Sequence, residues 1–500
     1  MNVKNFFRRG FIALLGMILA LSAAVVSATV KLYTVSSEDY PSEVESMDIS
    51  KQRALDKAVK KAKKEAGIYL RTYSRSVNSE LTDDEIIAIT SNSYKIVGEP
   101  KYTREIVKHS DETSIIVWKV NVDVQVDDSE IQSWLKRDDK EKSTIIAQTR
   151  EANKDSDENE RKIEDLRKKY NRATSQNEKN SIRKQMDIAD RIFSAQQKLE
   201  EGNKSYYNKD YNSAIKLYNE ALEFGEYANV YYNIGTCYLN LRDYNSAIQS
   251  FEKAILLNPN FGMAYHNRGV AYMDGLDKQE RAIKDFDKAI EFNPNDAGAY
   301  YNRGNAYKRL GYYERAIKDY TKSIDLNPND PDVYCNRGVA YSQNGQIKQS
   351  MQDFSKALAL NPNDAEVYSN RGVDYLRLGQ YEQAIHDFDK AIAINPNYAT
   401  VYSDRGTAYL KLQRYDRAIQ DYDKAINLNP NSAEIYTNRG VAHAMSMNFK
   451  QAIADAMKAI QINPNYSKAY QLRGICYQQL GDNEKAQADF AKAKQLGFNG

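Results

Sequence analysis

The stretch AGAYYNRGNAYKRLGYYERAIKDYTKSIDLNPND, residues 297–330, decides how the chain is read. Tyr300, Gly304 and Tyr307 fall on one helical face, and Ala316, Tyr320 and Ser323 fall on another. Steps of three and four residues place side chains on one stripe of a helix. Gly304 and Ala316 let two antiparallel helices come close, while the tyrosines fill the gap to a neighbouring pair. Pro328 cannot continue the second helix and fixes the turn that follows. A single pair leaves an apolar face uncovered, so its stability comes from stacking on copies of itself.

Such copies are present. Asn-Pro-Asn recurs at 258, 293, 327, 361, 395, 429 and 463, spaced 35 residues once and 34 thereafter. A 34-residue period is the tetratricopeptide length. With Tyr300, Gly304, Tyr307, Tyr313, Ala316, Tyr320, Ser323 and Pro328 in place, the unit resembles the tetratricopeptide repeat family. Counting outward gives nine repeats, starting at 195, 228, 262, 297, 331, 365, 399, 433 and 467. The first lacks the proline, and the last ends as Gly497-Phe498-Asn499-Gly500. The expected fold of residues 195–500 is therefore an α-solenoid. The resemblance implies a long concave surface that binds a protein or peptide partner.

Upstream, residues 137–194 are dominated by charged and amide side chains, with Ile145, Ile146, Ile163, Leu166, Tyr170, Ile182, Met186 and Ile188 as the apolar exceptions. They read as a charged helical linker, with a hairpin break near Asn171 to Ser175 and a dimerising coiled coil as the alternative. Residues 29–136 read as a small α+β domain. Ala54, Ala58, Ala62 and Ala66 form an i, i+4 row that lets a helix lie close on a sheet, and Gly67 is expected to end that helix. An extended run over Ile68 to Val77, a turn at Asn78-Ser79 and a helix opened by Thr82-Asp83-Asp84-Glu85 follow. From Ser114 to Val126, Ile116, Trp118, Val120, Val122, Val124 and Val126 alternate with polar residues as in a strand. This order of parts resembles the exported domain at the N-terminus of flagellar-assembly protein T, which implies a docking role without catalysis.

Residues 1–28 read as a signal peptide: Lys4, Arg8 and Arg9, an apolar run from Phe11 to Val26, then Val26-Ser27-Ala28 before a cut at Thr29. An uncleaved anchor is the alternative, although the run is short for a span. The expected location is exported, in the periplasm or associated with the cell envelope of a bacterium.

Two regularities run through the array. Repeats three to nine carry arginine at their seventh position: Arg268, Arg303, Arg337, Arg371, Arg405, Arg439 and Arg473. The same repeats carry Asp285, Asp319, Asp353, Asp387, Asp421, Asp455 and Asp489 in the second helix. Both positions lie at similar heights in an antiparallel pair, so structural ion pairs that set helix register are expected. Just before the arginines stand Asn233, Asn267, Asn302, Asn336, Asn370 and Asn438, interrupted by Asp404. An amide donates and accepts at once, so a row of them can grip an extended peptide. By resemblance to the superhelix of O-GlcNAc transferase, these asparagines are the candidate partner-binding residues. A solvated face copied by duplication is the plainer alternative. The fifth positions, Tyr232, His266, Tyr301, Cys335, Ser369, Ser403 and Thr437, include no lysine, which disfavours a carboxylate clamp.

Composition narrows the rest. Lys and Arg number 70 against 68 Asp and Glu, so no basic excess supports nucleic-acid binding. The 3 cysteines and 4 histidines form no metal-ligand spacing, so neither a metal nor another cofactor is expected. Cys237, Cys335 and Cys476 read as small packing residues. None of His109, His266, His386 and His443 has a nucleophile at motif spacing. The expected function is a non-catalytic scaffold, and a structural subunit of an envelope, flagellar or secretion assembly is the alternative. The sequence leaves the oligomeric state open.

Overall fold

The structure, a computed structural model, describes residues 30–39, 47–76, 81–92, 94–108, 114–127 and 161–498, with positions 142, 146 and 158 besides. The signal segment and the turn expected at Asn78-Ser79 lie outside these residues. Two compact units are formed, Met1–Pro259 and Asn260–Gly500.

The first unit opens with strand β1 (Val30–Asp39), helices α1 (Met47–Ser76) and α2 (Asp83–Asn92), and strands β2 (Tyr94–Lys108) and β3 (Ser114–Asp127). The sheet order is β1-β3-β2, with both outer strands antiparallel to β3. The register of β2 on β3 shifts between Val97 and Lys101, where Gly98 takes a φ of +73° that glycine tolerates at little cost. Ala54, Ala58, Ala62 and Ala66 are fully buried against Val120, Val122 and Val124. Methyl groups on the helix and branched residues on the strand bring the two backbones together.

Gly67 does not end α1, and residues 68–76 are helical, not extended. The glycine serves a close approach instead: a Cβ there would lie 3.3 Å from Ile86 Cγ2 on α2. The start of α2 is a reciprocal capping box. Glu85 N–H donates to Thr82 Oγ1 at 3.2 Å, and Thr82 N–H donates to Glu85 Oε2 at 2.8 Å.

Most of the charged segment before residue 161, Ile145 included, lies outside the described residues; from 161 onward it is less solvated than its composition suggests. A helix over 161–172, α3, folds back on α4 (Gln176–Tyr207), which Ser175 caps. Ile163, Leu166, Tyr170, Ile182, Met186 and Phe193 bury one another between them, whereas Ile188 stays 55% exposed. Helix α4 runs unbroken through residue 195 and also meets the α+β domain through polar side chains. Arg53 pairs with Asp190, Lys63 pairs with Glu200, and Gln197 Nε2 donates to Asp56 Oδ1 at 3.0 Å. Lys204 lies over the Tyr94 ring, and burial pushes its ammonium down to about 7. Helix α4 is thus in contact with the α+β domain.

From α4 onward the chain is a succession of antiparallel helix pairs. The second half of α4 pairs with Tyr211–Leu222, and Ala228–Asn240 pairs with Tyr244–Leu257. In the second unit, first helices start at Gly262, Ala297, Pro331, Ala365, Ala399, Ala433 and Ser467. The 35-residue repeat absorbs its extra residue in a π-turn, Ala271–Gly275. Between pairs, Asn-Pro-Asn forms one recurring turn. Asn293 Oδ1 accepts the Asn295 N–H at 3.2 Å, and Asn361, Asn395 and Asn463 do the same two residues on. The asparagine folds the chain locally while the proline bars further helix.

Within each pair, glycine faces an aromatic ring. A Cβ at Gly338 would lie 2.7 Å from Phe354, and one at Gly372 would lie 2.6 Å from Phe388. The eighth repeat departs from this rule. Ala456 stands where the ring should be, and Leu472 of the ninth repeat fills the space, 2.8 Å from a Cβ at Gly440.

Candidate partner-binding face

The arginine and aspartate regularities meet in space. In all seven pairs the guanidinium grips the carboxylate through two donors; Arg337 Nε and Nη2, for example, donate to Asp353 at 2.7 and 2.8 Å. The other six forks, from Arg268–Asp285 to Arg473–Asp489, keep every bond between 2.5 and 3.0 Å. The aspartates are buried, and each guanidinium lies 5.5–5.7 Å from the ring of a tyrosine three residues earlier, such as Tyr334.

A third contact was not read from the sequence. Nη1 reaches the second helix of the preceding repeat: Arg303 to Asp287 at 2.6 Å, Arg439 to Asp423 at 2.6 Å, and Arg337 to the Thr321 hydroxyl at 3.0 Å. Arg371 meets Ser355 and Arg405 meets Asp389 in the same way. Each of these five arginines therefore ties three helices. The signal was available, since these acceptors stand sixteen residues before the arginines.

The asparagines lie half-buried on the first helices, and their partners are mostly the repeat before. Asn233 Nδ2 donates to Asn203 Oδ1 at 3.2 Å. Asn302 Nδ2 donates to His266 Nε2 at 3.0 Å, while His266 Nδ1 donates to Asp296 at 3.0 Å. Asn336 Nδ2 donates to the Tyr301 hydroxyl at 3.0 Å, and its carbonyl takes Lys308. Asn370 meets Cys335, and Asn267 is engaged as well. The fifth-position side chain of one repeat thus clasps the sixth-position amide of the next. Where the fifth positions shorten to Ser369 and Ser403, the clasp ends. Among the described residues, neither Asp404 nor Asn438 makes a hydrogen bond or ion pair. Burial, with the charge of Glu434, pushes the Asp404 carboxyl up to about 6.

Another buried carboxylate was missed. Asp374 occupies a position that is alanine in most copies, is fully buried, and accepts from the hydroxyls of Ser342 and Ser350, both at 2.5 Å. Ser350 replaces the alanine that other repeats carry at its position, so the three polar residues occur together.

No group of three or more metal-ligating side chains occurs among the described residues. His443 lies 4.0 Å from Asp455, His386 is exposed, and His109 is outside the described residues. The three cysteines are free and buried. No described helix is long and apolar enough to cross a membrane.

Comparison with known proteins follows the helix pairs. Residues 276–311, 310–345 and 406–446 match a family model described as TPR repeat. Two models described as Tetratricopeptide repeat match 228–261, 331–364, 365–398 and 433–466, and 388–420 and 456–488. Heat shock protein STI1 of Saccharomyces cerevisiae is 29% identical over 83 residues, 16% of this chain and 14% of its own length. Small glutamine-rich tetratricopeptide repeat-containing protein 2 of Mycosarcoma maydis is 33% identical over 90 residues, 18% of this chain and 26% of its own. The chain thus spans well under half the length of these relatives. The crystal structure of a tetratricopeptide repeat protein from Parabacteroides merdae is similar with a TM-score of 0.41 and 21% identity, covering 50% of this chain and 98% of that one.

Proposed function

We propose, from the premise that this chain carries tandem tetratricopeptide repeats between residues 228 and 488, that it is an exported, non-catalytic scaffold whose first helices hold a protein or peptide partner. Tetratricopeptide proteins act as interaction scaffolds, and the carrying observation is the row of half-buried polar side chains that recurs at one repeat position from Asn233 to Asn438. Within the second unit, forks accompany the row from Asn267 to Asn438, and a preorganised row loses little entropy when an extended chain is laid along it. The N-terminal α+β domain, by its resemblance to the flagellar-assembly protein T domain, is proposed to dock to another envelope component. Mass analysis of the mature protein should find Thr29 at its N-terminus; retention of Met1 to Ala28 would count against cleavage.

A structural subunit of an envelope assembly is the second reading. It is favoured by the engagement of Asn233, Asn302 and Asn336 with neighbouring repeats, which suits a row that serves stacking. The triple variant Asn302→Ala, Asn336→Ala, Asn370→Ala separates the two. A folded variant that no longer retains a soluble client from envelope extract supports the scaffold; one that keeps every wild-type partner supports the subunit.

A further inference from the structure

We infer that the first-helix face of repeats six to eight seats a cationic residue of the partner on Asp404, with Asn438 holding the adjacent backbone of that partner. The inference rests on the scaffold reading and narrows it to one stretch of the array and one chemistry.

The sixth position is asparagine in six repeats, and every one of these except Asn438 is engaged by another residue of the chain. The clasping side chains are long or soft in that part of the array (His266, Tyr301, Cys335) and short in the next part (Ser369, Ser403). Asp404 and Asn438 therefore keep their hydrogen-bonding capacity for something outside the chain.

Charge then selects the occupant. Each of the seven second-helix aspartates of the array's forks has an arginine fork, whereas Asp404 is half-buried and has no cation partner among the described residues. The charge that bears on it most, Glu434, is of the same sign. Withdrawing a carboxylate from water without pairing it is unfavourable, and an ammonium or guanidinium removes that penalty. An asparagine at this position would fold equally well, as the other copies do. A neutral or acidic segment would leave the carboxylate uncompensated, so a lysine or arginine in an extended peptide is the partner that fits.

The test uses the full chain and four acetylated, amidated peptides, Ser-Ala-Gly-X-Gly-Ala-Ser, with X as Lys, Gln, norleucine or Glu, read by isothermal titration calorimetry. The lysine peptide is expected to bind about tenfold tighter than the glutamine peptide, the Glu peptide being weakest. Asp404→Asn should bring the Lys-to-Gln ratio to about one, and Asn438→Ala should weaken all four peptides alike. Equal binding of the Lys and Gln peptides by the wild type, or an unchanged ratio in Asp404→Asn, overturns the inference and leaves the scaffold reading standing. Failure of all four peptides to bind counts against both. A melting temperature at pH 7.5 that drops in Asp404→Asn would also overturn it, because the carboxylate would then have a structural partner.

Discussion

Asp387 and Asp404 are the same side chain in opposite circumstances. Asp387 is almost wholly buried and held by two donors of Arg371; Asp404 is less buried and held by none of the described residues. Their responses to mutation should differ in sign. Arg337→Ala strands Asp353 as Arg371→Ala strands Asp387, and either should cost about 3 kcal/mol in urea unfolding. Replacing Arg337 and Asp353 together by Met and Leu should restore most of it, because no buried charge is then left unpaired. Asp404→Asn should instead stabilise. Its carboxyl lies at about 6 in the folded chain against 3.8 ordinarily, so the folded state holds the extra proton between those values. The Asp404 contribution to stability therefore falls as pH rises from about 4 to about 6, with Glu434, Tyr398 and Tyr422 as the titratable neighbours. The advantage of Asp404→Asn should open over that window and level off above it, at about 2 kcal/mol or less. The thiols follow the same logic. Burial pushes Cys237 and Cys335 up to about 12 and Cys476 up to about 11. Iodoacetamide at pH 8 should label the folded protein roughly a hundredfold more slowly than the unfolded chain.

At the scale of the helix pair, glycine opposite an aromatic ring is the tightest contact. Gly338→Ala puts a methyl group 2.7 Å from Phe354 and should lower stability by about 1–3 kcal/mol, with helix content by circular dichroism unchanged. The helix pairs were legible because period, glycine, alanine and proline each report a local constraint, repeated often enough to read without the fold. Their seams were less so. The third arm of five of the seven arginines joins residues of adjacent repeats, and the asparagine row was legible as a pattern while its lateral partners, His266 and Tyr301, depended on how neighbouring helices rest together. In the α+β domain the alanine stripe gave the helix-on-sheet packing, but Gly67 carried two meanings. A glycine that ends a helix and one that admits a neighbour look alike until α2 is in place.

At the scale of the whole chain, stability is shared between neighbours, so it should be graded along the array. Hydrogen exchange of the intact protein should find the slowest amides in repeats four to seven, which keep the glycine–ring contact, and faster exchange in the eighth, where Ala456 replaces the ring. Uniform protection to the last helix would speak against that gradation. The exchange of Ala456 for a ring, answered by Leu472, has a further consequence for how such an array can change. Copies that look interchangeable have fixed addresses: the eighth can be followed only by a successor that brings its own plug. Shuffling it ahead of any other copy would press an amide or a carboxylate into a greasy hole, so duplication and recombination within this gene must move those two copies as one.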